Sequence, residues 1–154
     1  MGERRYGDFA SPEAAIYRRI VTILREDEDL NRIGWYIYDY DNDEDIEDEV
    51  PPEGKIPAIQ VVAANLSREE YSNDLENAML SLDIVAWIDG NHVEDAWGIR
   101  NAVYRALMLQ RITDVFSSPW VAGIVPGPID QITRGLMRSA QTVQITYLIE
   151  HPRR

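Results

Sequence analysis

The stretch Ala78-Met79-Leu80-Ser81-Leu82-Asp83-Ile84-Val85-Ala86-Trp87-Ile88-Asp89 carries apolar residues at every second position: Ala78, Leu80, Leu82, Ile84, Ala86 and Ile88. Successive side chains of an extended chain point to opposite faces, so this period predicts a long strand with one face buried. Asp89-Gly90-Asn91 ends it. From Val93 the period changes to that of a helix, with Val93, Ala96, Val103 and Leu107 on one stripe and Trp97, Tyr104 and Met108 on the adjacent one. This second helix is expected to end near Arg111.

Working outward, Ser11-Pro12-Glu13 is a helix start. A serine caps the free N–H groups, proline fits the first helical position, and a carboxylate sits at the positive end of the dipole. Ile16, Ile20, Ile23 and Leu24 form its apolar stripe, and the pattern runs to about Leu30. Trp35 to Tyr40 is a short aromatic strand, and Ala58 to Ala63, apolar except for Gln60, reads as a central strand covered on two sides. Beyond the second helix, Trp120 to Val125 reads as a strand and Pro126-Gly127-Pro128 as a turn. Ile132 to Arg138 is a weaker strand with Gly135 as a bulge, and Val143, Ile145, Tyr147 and Ile149 alternate along a closing strand. The resulting fold class is α+β: a mainly antiparallel (mixed) sheet with two helices packed on one face. It is one domain over residues 11–150, with an arm at 1–10 and a tail at 151–154.

The chain has 154 residues, 45% hydrophobic and 27% charged, and a net charge of −12. At this length roughly 68–70% of the unfolded surface is buried on folding, so an ordinary core suffices. The excess of acid argues against a general nucleic-acid binder or a partner of anionic lipid. There is no cysteine, which removes disulfides, thiolate metal sites and thiol catalysis. Met1 to Ala10 holds Glu3, Arg4, Arg5 and Asp8 without an apolar stretch behind them, so it does not read as a secretory signal. The longest uncharged run, Val115 to Ile129, is broken by three prolines, and a soluble protein is expected.

Only His92 and His151 are present, which excludes a three-histidine metal site; His92 reads as a capping or surface residue. There is no Gly-x-Ser-x-Gly elbow and no phosphate-binding glycine loop followed by Lys-Ser or Lys-Thr, so no enzymatic activity and no cofactor is expected. Asp39, Asp41, Asp43, Glu44, Asp45, Glu47, Asp48 and Glu49 put eight carboxylates into eleven residues with no base. The first three have the alternating spacing that opens a calcium loop, but Glu44 stands where the turn glycine belongs and Val50 where the closing glutamate belongs. The run, extending to residue 54, reads as a solvated acidic loop rather than a metal site. Fourteen of the fifteen basic residues are arginine, the cation favoured in multidentate interface ion pairs. Arg134, Arg138, Arg153 and Arg154 are the candidates for subunit contacts. Most of the four tryptophans and eight tyrosines are expected in the core.

The segment order resembles the lambda-type tail terminator proteins of long-tailed bacteriophages. The likeness lies in a capped N-terminal helix, a short aromatic strand, the strand Ile56-Pro57-Ala58-Ile59-Gln60-Val61-Val62, a polar hairpin Leu66 to Asn77, the long alternating strand, a helix, and the closing strand Thr142 to Ile149. It covers Ser11 to Glu150. The chain departs from the family in its arm, in the acidic insertion at 39–53, and in a longer segment between Gln110 and Ile132. The resemblance implies a non-enzymatic virion protein at the head–tail junction, assembled in the host cytoplasm. Six copies would form a homohexameric ring on the finished tail tube, stop its polymerisation, and meet the head-side connector. Genomic DNA would pass through without specific binding. The acidic run would then face the lumen or rim, and the arginines would lie between subunits. Two other classes share the size and charge: a head-closure ring of the neck, and a free acidic adaptor or DNA mimic.

Overall fold

The computed structural model describes residues 11–33, 36–39, 56–72, 75–108 and 120–150. The first helix, α1 (Pro12–Glu26), begins as its sequence dictates. Ser11 is extended, and its hydroxyl accepts the Ala14 N–H at 3.0 Å. It stops earlier than the periodicity suggests, because Asp27 leaves the helical conformation and its carboxylate accepts the Leu30 N–H at 3.1 Å. One aspartate thus ends α1 and caps α2 (Glu28–Ile33), so a single expected helix becomes two. Leu30 is carried into the core by the second.

The strands are β1 (Tyr36–Asp39), β2 (Ala58–Ser72), β3 (Leu75–Asp89), β4 (Trp120–Thr133) and β5 (Leu136–Glu150), with α3 (Val93–Leu107) between β3 and β4. They form one sheet in the order β1-β2-β3-β5-β4. β1 runs parallel to β2 and every other pairing is antiparallel. The fold is therefore α+β with a mainly antiparallel sheet and its helices on one face.

The alternation in β3 sets the layers. Ala78, Leu80, Leu82, Ile84, Ala86 and Ile88 are all buried, and pack with Ile16, Ile20 and Leu24 of α1, with Ile99, Val103 and Leu107 of α3, and with Val143 and Ile145 of β5. Each fully buried aliphatic side chain of this kind contributes roughly 1.5–3 kcal/mol relative to exposure. At its C-terminal end β3 is buried on both faces. Val85 and Trp87 join Ala58 in a second cluster on the side away from the helices. Gln60, the one polar residue of its strand core, lies there too, and its Oε1 accepts the Trp87 Nε1–H at 2.7 Å. The polar group is satisfied where it is buried, as such a position requires.

The polar hairpin Leu66 to Asn77 is present, its arms being the paired continuation of β2 and β3 past a register shift between Ala63 and Asn65. Other elements differ from the sequence reading. Pro126-Gly127-Pro128 does not turn the chain. It is accommodated as a bulge within the terminal strand β4, where a missing N–H interrupts little. The reversal comes later, where Thr133 pairs with Leu136 across Arg134 and Gly135, and Gly135 has φ of +88°. Helix α3 ends at Leu107 rather than near Arg111, with Met108 extended behind it.

Candidate functional site

The subunit-contact candidates occupy unlike places. Arg134 is exposed in the β4–β5 turn. Arg138 lies on β5 opposite Trp87, with its guanidinium carbon 5.9 Å from the centre of the indole ring. This cation–π geometry, on the sheet face away from the helices, engages Arg138 within its own chain. Asp39 is in β1 and pairs with Val61. Asp41, Asp43, Glu44, Asp45, Glu47, Asp48, Glu49, the rest of the acidic loop, the arm at 1–10, His151, Arg153 and Arg154 lie outside the described residues. His92 stands at the N-cap position of α3, exposed, and its side chain makes no capping hydrogen bond. Among the described residues, no group of three or more histidine, aspartate or glutamate side chains could hold a metal ion. None of the described helices is long and apolar enough to cross a membrane.

The sequence reading passed over Arg100. It reaches from α3 into the β4 bulge and donates to Ser139 Oγ at 2.8 Å, to the Ala140 and Pro128 carbonyls at 3.1 Å each, and to the Gly127 carbonyl. Gln141 returns a bond from its Nε2 to the Arg100 carbonyl. Ser139 and Gln141 are buried on the inward face of β5. All four acceptors of the guanidinium are neutral, so burial draws its pKa below the ordinary value. The signal was faint but present: two polar residues, 139 and 141, fall on the inward phase of a strand whose other inward residues are apolar.

A second polar group crosses the far end of the core. Arg68 donates to Glu13 of α1 at 2.6 Å and lies 3.9 Å from Glu76. The buried Tyr147 completes the group, and its phenol is pushed up by burial and, secondarily, by the Glu13 carboxylate. Where β3 ends, the Gly90 N–H donates to the Gly135 carbonyl at 2.8 Å, and Asn91 Oδ1 accepts the Gly135 N–H at 2.7 Å and Gln131 Nε2 at 3.0 Å. The β3–α3 connection is thereby clamped to the β4–β5 turn.

These groups join elements of one chain. The surface features that face outward are different ones. Helix α3 buries Ala96, Ile99, Ala102, Val103, Ala106 and Leu107, yet Trp97 is 59% exposed, Tyr104 45% and Val93 41%. The stripe of Trp97 and Tyr104 is thus open, and Val93, expected on the core stripe, is exposed at the start of the helix. Val125 and Ile132 are exposed on the terminal strand β4, and Leu66 on β2. In comparisons with known proteins, the chain matches no family model and no curated sequence.

Proposed function

We propose that the protein is a structural ring component of a phage tail, the terminator that caps the finished tail tube and joins it to the head-side connector. The observation that carries this reading is the element order. A capped helix, a short strand, a long hairpin, a helix and a closing long strand, in one sheet with helices on a single face, follow the order on which the resemblance rests, while β4 falls in the segment where the chain departs from it. Two further features support it. A ring needs two unlike patches on each copy, because its interface is heterologous. Here β1 and β4 are the two terminal strands, and β4 carries exposed Val125 and Ile132 with Arg134 in the turn behind it. A net charge of −12 per copy, or 6 × −12 = −72 per hexamer, suits a channel through which DNA slides without binding. The acidic run would line the lumen or rim, at the head–tail junction of the virion.

The test is the length distribution of tails, by negative-stain electron microscopy, in particles made without this gene product. Overlong tails without heads are the expected outcome. Tails of normal length beside unattached heads would move the protein to the connector side of the joint. Unaffected virions would leave the acidic adaptor as the better reading.

A further inference from the structure

The outward face of α3 has a second pattern, separate from the one that packs in the core. Glu94, Trp97, Asn101 and Tyr104 succeed one another at spacings of three, four and three, the spacing that keeps side chains on one face of a helix. All four are exposed. Large aromatic side chains left open beside a helix that has already buried Ala96, Val103 and Leu107 add nothing to this chain's own core. Gly98 interrupts the same face, and the space a Cβ would occupy there is open. A glycine within a helix costs about 1 kcal/mol relative to alanine, and beside Trp97 it leaves room for a bulky side chain from outside.

The charges on this face indicate what covers it. Glu94 and Asp95 stand in the first turn of α3 and Arg105 in the last. A second α3 laid antiparallel brings the acidic turn of each copy to the basic turn of the other, and opposes the two helix dipoles. The pattern is symmetric about its middle: Trp97 and Tyr104 lie on either side of Asn101, and a two-fold axis there sets each tryptophan against the other copy's tyrosine. Asn101 would meet its own counterpart on the axis, where each side-chain amide can donate to the other's oxygen. Arg105 already has a long contact to Asp29, 3.8 Å between exposed side chains, which leaves donors for a partner.

We propose that α3 is a self-association surface, and that a second copy of this chain covers it through an antiparallel α3–α3 contact about a two-fold axis at Asn101. The contact is isologous, so it is distinct from the heterologous contacts of a ring and does not depend on the ring reading. A helix of fifteen residues is about 22 Å long. One such helix pair is a small contact beside the roughly 800 Å² per partner of a standard interface, so the dimer is expected to be weak and to need concentrated protein for its detection.

The absence of cysteine makes the test direct. In Asn101→Cys the only thiol of the full chain would sit on the axis, and mild oxidation at about 100 μM protein is expected to give a disulfide-linked dimer. Asp130→Cys, exposed on β4, serves as the control for random collision. Cross-linking of Asn101→Cys at least ten-fold above that control supports the two-fold contact, and cross-linking no better than the control overturns it, even if rings form. Sedimentation equilibrium gives the independent reading. Trp97→Ala is expected to raise the dissociation constant ten-fold or more. Glu94→Arg and Arg105→Glu are each expected to raise it several-fold, and together to restore it to within about two-fold. Association unchanged by Trp97→Ala, with the helical circular dichroism intact, overturns the proposal.

Discussion

Arg100 is held by an arrangement in which each part explains another. Gly127 approaches β5 so closely that a Cβ there would stand 2.9 Å from the Ala140 carbonyl oxygen, and this approach brings the Gly127, Pro128 and Ala140 carbonyls within reach of one guanidinium. Hydrogen bonds from a charged donor contribute roughly 1.5–3 kcal/mol, and carbonyls left without a partner in a part-buried site add to the loss. Arg100→Met keeps the stem and removes the donors; urea denaturation is expected to show a loss of about 2–3 kcal/mol, and a loss below about 0.5 kcal/mol would mean that water replaces the guanidinium at no cost. Tyr147 gives a pH-dependent test. Its pKa is raised by burial and by Glu13, so the folded protein keeps a proton that the unfolded chain releases above about pH 10. The stability contributed by this group is complete below about pH 10 and falls as the pH rises beyond it. Denaturation midpoints measured from about pH 8.5 to 11 are expected to drop more steeply for the wild type than for Tyr147→Phe, and parallel curves would show that Tyr147 is not the group responsible.

At the scale of elements, the legible part of the fold is the part that local periodicity controls. The six alternating residues from Ala78 to Ile88 place β3 and its buried face, Ser11-Pro12 places the start of α1, and Gly90 marks the end of β3. Errors arose where a local signal had two structural solutions. Proline and glycine at 126–128 serve a turn or a bulge equally well, and only pairing with β5 decides for the bulge. Asp27 gave no break in the apolar stripe, because Leu30 continues into the core from the next helix. The polar stretch at 66–77 lacked the alternation of a half-buried strand because most of its described residues are exposed. The clamp between the β3–α3 connection and the β4–β5 turn was invisible for another reason: Asn91 and Gly135 are 44 residues apart. Asn91→Ala removes the acceptor for the Gly135 amide. It is expected to cost about 1 kcal/mol and to speed hydrogen exchange at Gly135 while β3 exchange stays slow; unchanged protection at Gly135 would show that the Gly90 N–H bond to the Gly135 carbonyl holds the turn by itself.

For the whole molecule, assembly as proposed would require copies carrying −12 each to come together. Every contact between them works against a net repulsion that salt screens over about 8–10 Å. Of the sequence-derived contact residues within the described chain, Arg138 lies over its own Trp87, whereas Arg134 stands exposed in the turn behind the terminal strand β4. If that turn meets a neighbouring subunit, Arg134→Glu replaces an attraction by a repulsion at one contact in each of six interfaces. The same substitution also makes every copy more negative, −12 − 2 = −14, and that alone would weaken any assembly. Arg32→Glu separates the two effects. Arg32 is an exposed residue of α2 whose partner is Asp29, three positions away in the same helix, so this variant reaches −14 without touching β4. The two variants, compared by native mass spectrometry or by ring counts in negative stain on assembled tails, are expected to diverge. Arg134→Glu lowers ring occupancy by ten-fold or more, and Arg32→Glu lowers it slightly, by an amount that added salt recovers. Equal losses from both would assign the effect to net charge and remove Arg134 from the interface.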